Sequence, residues 1–316
     1  MGSFMSSHKP FNPATDVPDL TGKVAIVTGG NSGMGFTAVQ QLARKGAKVY
    51  LAARNESRAT GAISRLEAEG LGPGNGKVEW LKLNLSDPKQ AKAAAEEVLA
   101  KEMTLDILVN NAAIQSSPWQ MNPFGIQETF IVNHFSPYIF TKTLLPLLKS
   151  TAQAGHDVRI VNVRYVGYCR SQDYNVKFEG QFLDGLKRYG TSKLANMLWT
   201  NELQRNFDEE KVPIICISVD PHGVITEGSI AGTKKSFGMW LVFHLTKPFL
   251  YTAEEGGHSI TLPAASPVVR QNPELYRGAL LKHISKVSPK PKIGQDEALA
   301  KELIDSTEKF LQEMGV

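Results

Sequence analysis

Tyr189 and Lys193 stand four residues apart in the run Tyr189-Gly190-Thr191-Ser192-Lys193, so a helix there places both on one face. The apolar residues Leu194, Met197, Leu198 and Leu203 that follow mark the buried side of such a helix. A tyrosine titrates near ~10 in water and exchanges protons poorly at neutral pH unless a neighbouring cation favours its phenolate. Lys193 is spaced to be that cation. By itself the pair also reads as two surface residues on an amphipathic helix.

A second group of residues has the chemistry of an anion cradle. The apolar run Val24 to Val27 leads into Thr28-Gly29-Gly30-Asn31-Ser32-Gly33-Met34-Gly35, and a helical pattern through Ala38, Val39, Leu42 and Ala43 then stops at Gly46. Gly29, Gly33 and Gly35 let the backbone turn sharply and approach a pyrophosphate, whose charge meets the free N–H groups and positive dipole end of the helix. The next apolar run ends Leu51-Ala52-Ala53-Arg54-Asn55. A carboxylate at that place would bind a ribose 2′-hydroxyl and repel a 2′-phosphate; here Arg54 offers a charged planar fork instead. This favours NADP(H) over NAD(H).

The elements that must hold these residues follow from the pattern of the chain. Short β-branched runs at Val24 to Val27, Lys48 to Ala52, Val78 to Leu83, Ile107 to Val109, Val158 to Val163 and Ile214 to Val219 alternate with helical stretches. Such alternation specifies an α/β chain: a single doubly wound parallel sheet, the Rossmann fold, with helices on both faces. Residues 1–18 read as an N-terminal tail and 19–316 as one domain, with a substrate-covering insertion at about 227–255 rich in bulky apolar residues from Phe237 to Tyr251. Of the 316 residues, 42% are hydrophobic and 21% charged, and 35 basic against 31 acidic side chains leave a formal charge of +4. That charge, without a basic block, points away from nucleic acid. The longest apolar runs fall short of the roughly 20 residues of a transmembrane helix. No secretory signal is read, and the formal myristoylation pattern at Met1 to Ser6 reads as chance, so a cytoplasmic location is expected, with peripheral membrane association left open. Cys169 and Cys216 are too few for a disulfide framework, and no metal set is read.

Taken in order, these pieces resemble the short-chain dehydrogenase/reductase family, in particular its retinol-dehydrogenase-like branch and fungal relatives. The residues that carry the resemblance are the Thr28 to Gly35 loop, Asn84-Leu85, Asn110-Asn111-Ala112-Ala113, Asn133, Tyr189 with Lys193, and the segment Pro221 to Thr226. The resemblance implies a hydride transfer between nicotinamide and a carbonyl or hydroxyl of a bulky apolar small molecule, as in fungal secondary metabolism. It gives Tyr189 the proton exchange with the substrate oxygen, Lys193 the ribose hydroxyls, and Asn133 a water that links the lysine to solvent. Gly29, Ser32, Gly33, Met34, Gly35, Arg54, Asn84, Leu85, Asn111, Ala112, Val224 and Thr226 would line the cofactor. It also implies a homodimer or homotetramer paired through the helices that carry Asn133 and Tyr189.

Two positions depart from the family pattern. Where the family places its hydrogen-bonding serine after the fifth strand, this chain reads Asn162-Val163-Arg164-Tyr165, so Tyr165 stands at the serine position. It is open as a replacement donor, a new acid/base, a pocket wall or simple packing. His222 interrupts the expected Pro-Gly after the sixth strand and is open as a proton shuttle or a structural residue. Both departures keep a second class of reaction in view, a non-redox isomerase, epimerase, dehydratase or cyclase on the same scaffold. A protein that only binds and senses NADP(H) is the weakest reading.

Overall fold

Continuous apolar runs form strands buried on both faces. A computed structural model describes residues 11–72, 74, 76–115, 120–122, 125–164, 182–225, 230, 245, 247 and 250–316, with the backbone alone at 182–186. Its strands are β1 (Val24–Thr28), β2 (Lys48–Ala53), β3 (Val78–Lys82), β4 (Ile107–Asn110), β5 (Arg159–Val163), β6 (Ile215–Asp220), β7 (Leu280–Lys282) and β8 (Lys286–Ser288). They form one sheet in the order β3-β2-β1-β4-β5-β6-β7-β8, parallel throughout except for β8, which returns antiparallel on β7. The first six lie within a residue or so of the expected runs. The two short last strands have no comparable apolar run and were not anticipated.

Helices cover both faces, as expected for a doubly wound sheet. After the short α1 (Pro13–Asp16) come α2 (Gly33–Ala43), α3 (Glu56–Glu69), α4 (Pro88–Lys101), α5 (Glu128–Phe130), α6 (Ser136–Gln153), α7 (Phe182–Glu209), α8 (Ala253–Ala265), α9 (Pro267–Gln271), α10 (Pro273–Tyr276) and α11 (Glu297–Glu313). Alternate strand residues sort into two cores. Ile26, Leu108, Ile160 and Cys216 face α4, α6, α7 and α11, whereas Ala25, Val109, Val161 and Ile217 face α2, α3 and α8. Cys216 is thus a buried, unpaired thiol. Within the stretch read as a tail, Val17 is buried in the second core, Lys45 donates to the Ala14 carbonyl, and Phe11 meets His258 edge-on at 6.0 Å.

Two features of the α6 side bear on the site. Between α5 and α6 the chain takes a π-helical turn, Ile131–Phe135, with Asn133 at its centre; wide turns of this kind break the regular helix ladder and often mark functional positions. Helix α11 lies across α6 and α7, burying Leu299, Ala300, Leu303, Thr307 and Leu311. Thr307 Oγ1 bonds His134 Nε2 at 3.0 Å, and the Glu308 carboxylate accepts from Tyr138 and from Lys142 Nζ at 2.6 Å.

If α11 belongs to the cooperative core, replacing Leu303, 2% exposed, by alanine lowers unfolding stability by roughly 2–5 kcal/mol in a urea titration. The same change at the exposed Met103 should move it by less than about 0.5 kcal/mol. A Leu303→Ala loss as small as that of Met103 would mean that α11 is not docked in solution.

Candidate active site

The carboxyl ends of the parallel strands gather the residues singled out from the sequence. In an open α/β sheet this edge is where ligands bind, at the point where strand order reverses, here between β1 and β4. Gly29 has φ +68°, a left-handed conformation natural only to glycine. A Cβ on Gly35 would fall 2.4 Å from the Gly29 carbonyl oxygen and 2.6 Å from Asn111 Nδ2, so α2 can begin this close to the turn only with glycine there. Ser32 is the N-cap of α2 but makes no side-chain capping bond, leaving the first-turn N–H groups of Gly33, Met34 and Gly35 without a capping side chain. Met34 packs into the core at α8, where a Cβ on Gly256 would come within 2.7 Å of its Cγ.

The strand on the other side of the switch point is stitched to this turn. Thr28 Oγ1 accepts from the N–H groups of Asn111 and Ala112, each at 2.9 Å, and Asn111 Nδ2 donates to the Thr28 carbonyl at 2.8 Å. The cradle, its open N–H groups and its crowding against any side chain fit a dinucleotide pyrophosphate.

Arg54 is exposed just beyond β2, and Asn55 caps α3 by accepting from the Arg58 N–H at 2.8 Å. The register Ala53↔Lys82 and the bond from Leu83 N to Ala53 O bring Asn84 to the neighbouring strand end. Asn84 accepts from Ser86 N at 3.2 Å and donates to Gln90 at 3.3 Å. Leu85, expected beside the cofactor, has its side chain buried in the core.

Tyr189 and Lys193 share one face of α7, as their spacing requires. Lys193 is 2% exposed; its Nζ lies 5.5 Å from the Tyr189 ring centroid and donates to the Val163 carbonyl at 3.0 Å. Burial, and then the charge of Arg164, bring its pKa down from the usual lysine value to about 7. Asn133 holds the frame around the pair. Its amide accepts from Ile114 N at 2.9 Å and donates to Ile114 O and Ser192 Oγ, each at 3.0 Å, and Ser192 Oγ donates to the Tyr189 carbonyl at 2.8 Å.

His222 lies at the end of β6 with φ +61°, a conformation that costs a non-glycine residue about 1–2 kcal/mol. Its backbone N–H donates to the buried Asp220 carboxylate at 3.0 Å, its Nδ1 sits 3.6 Å from the same oxygen, and its ring lies 3.8 Å from that of His283, centroid to centroid. His283, also left-handed at φ +47°, meets the Tyr251 hydroxyl at 3.0 Å through Nδ1. Asp220, Tyr251 and His283 were missed by sequence reasoning, because the chain between His222 and His283 carries no pattern that brings them together. Tyr251 also pairs with the strand-like segment at Val224, its N–H donating to Gly223 O at 2.9 Å and its carbonyl accepting from Ile225 N at 2.8 Å. Tyr165, Thr226 and most of the 227–255 insertion lie outside the described residues.

A cavity of about 560 Å³ runs along α2, lined by Phe36, Arg44, Arg65 and Ala253 among others, and neither Tyr189 nor Lys193 borders it. Among the described residues no helix is long and apolar enough to cross a membrane.

Known proteins share this arrangement. The family described as short chain dehydrogenase matches residues 23–234. A short-chain dehydrogenase/reductase of Armillaria gallica is 41% identical over 98% of this chain and 99% of its own length. Retinol dehydrogenase 12 of Mus musculus is 34% identical over 76% of this chain and 72% of its own. In fold, the chain is similar to an uncharacterised protein from Mycobacterium paratuberculosis (TM-score 0.71, 22% identity, covering 96% of this chain and 97% of that one). It is also similar to the NADPH-bound carbonyl reductase from chicken fatty liver (TM-score 0.58, 24% identity, covering 85% and 99%). A family match over most of the chain and a full-length relative at this identity agree with the glycine turn and the Tyr189/Lys193 helix on one sheet edge: the chain belongs to the short-chain dehydrogenase/reductase family of oxidoreductases.

Proposed function

We propose that this chain is an NADP(H)-dependent oxidoreductase that moves hydride between nicotinamide and a carbonyl or hydroxyl of a bulky, apolar small molecule. The observation that carries the reading is Lys193, buried beside Tyr189 at the edge where the glycine turn opens. The NADPH bound to the chicken carbonyl reductase and the name of retinol dehydrogenase 12 support the cofactor and an apolar substrate by likeness.

Gly29, Ser32, Gly33, Met34 and Gly35 would hold the pyrophosphate, Arg54 the 2′-phosphate, Asn84 and the Leu85 backbone the adenine, Asn111 and Ala112 the adenosine ribose, and Val224 and Thr226 the carboxamide end. When bound, the nicotinamide supplies or accepts the hydride. Tyr189 then gives its hydroxyl proton to the substrate oxygen in reduction, or takes it in oxidation. Lys193 holds ribose hydroxyls and stabilises the phenolate form of Tyr189, while Asn133 keeps α7 and the loop after β4 in fixed relation. The family's serine donor is missing, and removing one oxyanion donor typically costs on the order of 10²- to 10³-fold in rate. Tyr165 takes over that donation in this reading. A second reading, a non-redox isomerase, epimerase, dehydratase or cyclase, is favoured by the Asp220, His222 and His283 cluster, which adds acid/base groups at the same edge.

Purified protein should oxidise NADPH with a panel of bulky ketones and aldehydes. Tyr189→Phe should slow this on the order of 10²- to 10⁴-fold with the fold intact by circular dichroism; tight NADPH binding with no turnover across the panel would overturn the redox reading. Arg54→Asp should raise the KM for NADPH about 10- to 100-fold, the worth of a charge-assisted phosphate contact, and leave that for NADH unchanged or lower. Equal effects on both cofactors would remove Arg54 from the phosphate site. Tyr165→Phe should lower reductase turnover if Tyr165 is the donor, whereas Tyr165→Ser puts the family's donor back. A variant that gains reductase turnover while the protein's native conversion disappears would favour the non-redox reading.

A further inference from the structure

Arg164 follows β5 directly and is 4% exposed, as deeply placed as a core residue. Its guanidinium reaches across to α7, where Nη1 rests on the sulfur of Met197, and its buried Nε has no hydrogen-bond partner among the described residues. Arg164 forms no ion pair among the described residues; the opposing charge that it feels comes from Asp220, itself 2% exposed at the end of β6. Lys193 is one helical turn from Met197 on the same face of α7, and its Nζ is held by the carbonyl of Val163, the residue before Arg164. Two buried cations are therefore anchored at adjacent peptides of β5 and at adjacent turns of α7.

Keeping both charged in that place is costly, since both are buried and, among the described residues, the one carboxylate acting on Arg164 is Asp220. Arginine does not give up its proton inside a protein, whereas lysine does. We propose that Arg164 is a positioning residue for the Tyr189/Lys193 pair, its guanidinium carrying the fixed positive charge of the site. Lys193 then stands beside the Tyr189 ring with its own charge weakened, and the Arg164 guanidinium keeps a positive charge in this buried corner whatever the state of the lysine. The fall of Lys193 to about 7, to which the Arg164 charge contributes, agrees with this. Among the described residues, the charged and titratable groups that face Lys193 are Arg164 just after β5 and Tyr189 from α7, with Asp220 of β6 acting on Arg164. This inference rests on the reading of Tyr189 and Lys193 as the reacting pair, but its test needs no turnover.

The test follows isotope-labelled lysine by NMR across a pH series in the full chain without substrate, with the Lys193 resonance assigned by its loss in Lys193→Met. Arg164→Met keeps the apolar stem and removes the charge. It should raise the Lys193 midpoint by at least about one pH unit, the effect of a unit charge within roughly 12 Å at an effective dielectric of about 20. Asp220→Asn removes the offsetting carboxylate and should lower the midpoint. An unchanged midpoint in a folded Arg164→Met, or a shift of Asp220→Asn in the same direction as Arg164→Met, would overturn the proposal. If Arg164→Met does not fold, Asp220→Asn decides alone: a lower midpoint supports the proposal, and an unchanged or higher one overturns it. Absence of NADPH oxidation, by contrast, would count against the redox reading and leave this titration as it stands.

Discussion

The bond from Lys193 Nζ to the Val163 carbonyl ties the long helix α7 to the end of β5, and much of the candidate site depends on it. A lysine that deep has lost its water, and among the described residues its Nζ is held by one backbone oxygen beside the Tyr189 ring. Once α7 is seated this way, Tyr189 is carried to the sheet edge, Ser192 meets Asn133, and Asn133 in turn holds the loop after β4 through both atoms of the Ile114 peptide. The π-helical turn at Asn133 is the local distortion that accompanies this contact.

The other half of the edge is governed by close approach rather than by charge. Gly35 has no room for a side chain between the Gly29 carbonyl and Asn111, and the same asparagine and Ala112 are bound to Thr28 at the end of β1. Turn, helix start and the end of β4 therefore form one rigid corner. Its open N–H groups follow from that rigidity, because an N-cap serine turned away from the helix leaves them for an external acceptor.

His222 belongs to neither half. It occupies a left-handed backbone position with a buried carboxylate behind it and a second left-handed histidine stacked on it. Strained non-glycine residues persist where the surroundings over-determine them, and here those surroundings come from three separate parts of the chain, Asp220, Tyr251 and His283.

Sequence alone determined the architecture, the family and the local placement of the candidate residues. The unbroken apolar runs are long enough to be legible as buried parallel strands, the glycine spacing follows from a local turn, and the separation of Tyr189 and Lys193 is a property of one helix. Leu85 shows what the tertiary structure adds: the resemblance sets it beside the cofactor, and the packing of the sheet buries its side chain in the core. The short strands β7 and β8 were equally out of reach, since they are ordered by pairing with β6 and with each other. Tertiary structure decided the electrostatics. The Arg164 charge is buried beside Lys193, and His283 is placed on His222, only because β5, β6, β7 and α7 converge at one end of the sheet. Interactions between residues far apart in the chain carry no periodicity, and the energy of a buried charge depends on what surrounds it rather than on its neighbours in sequence.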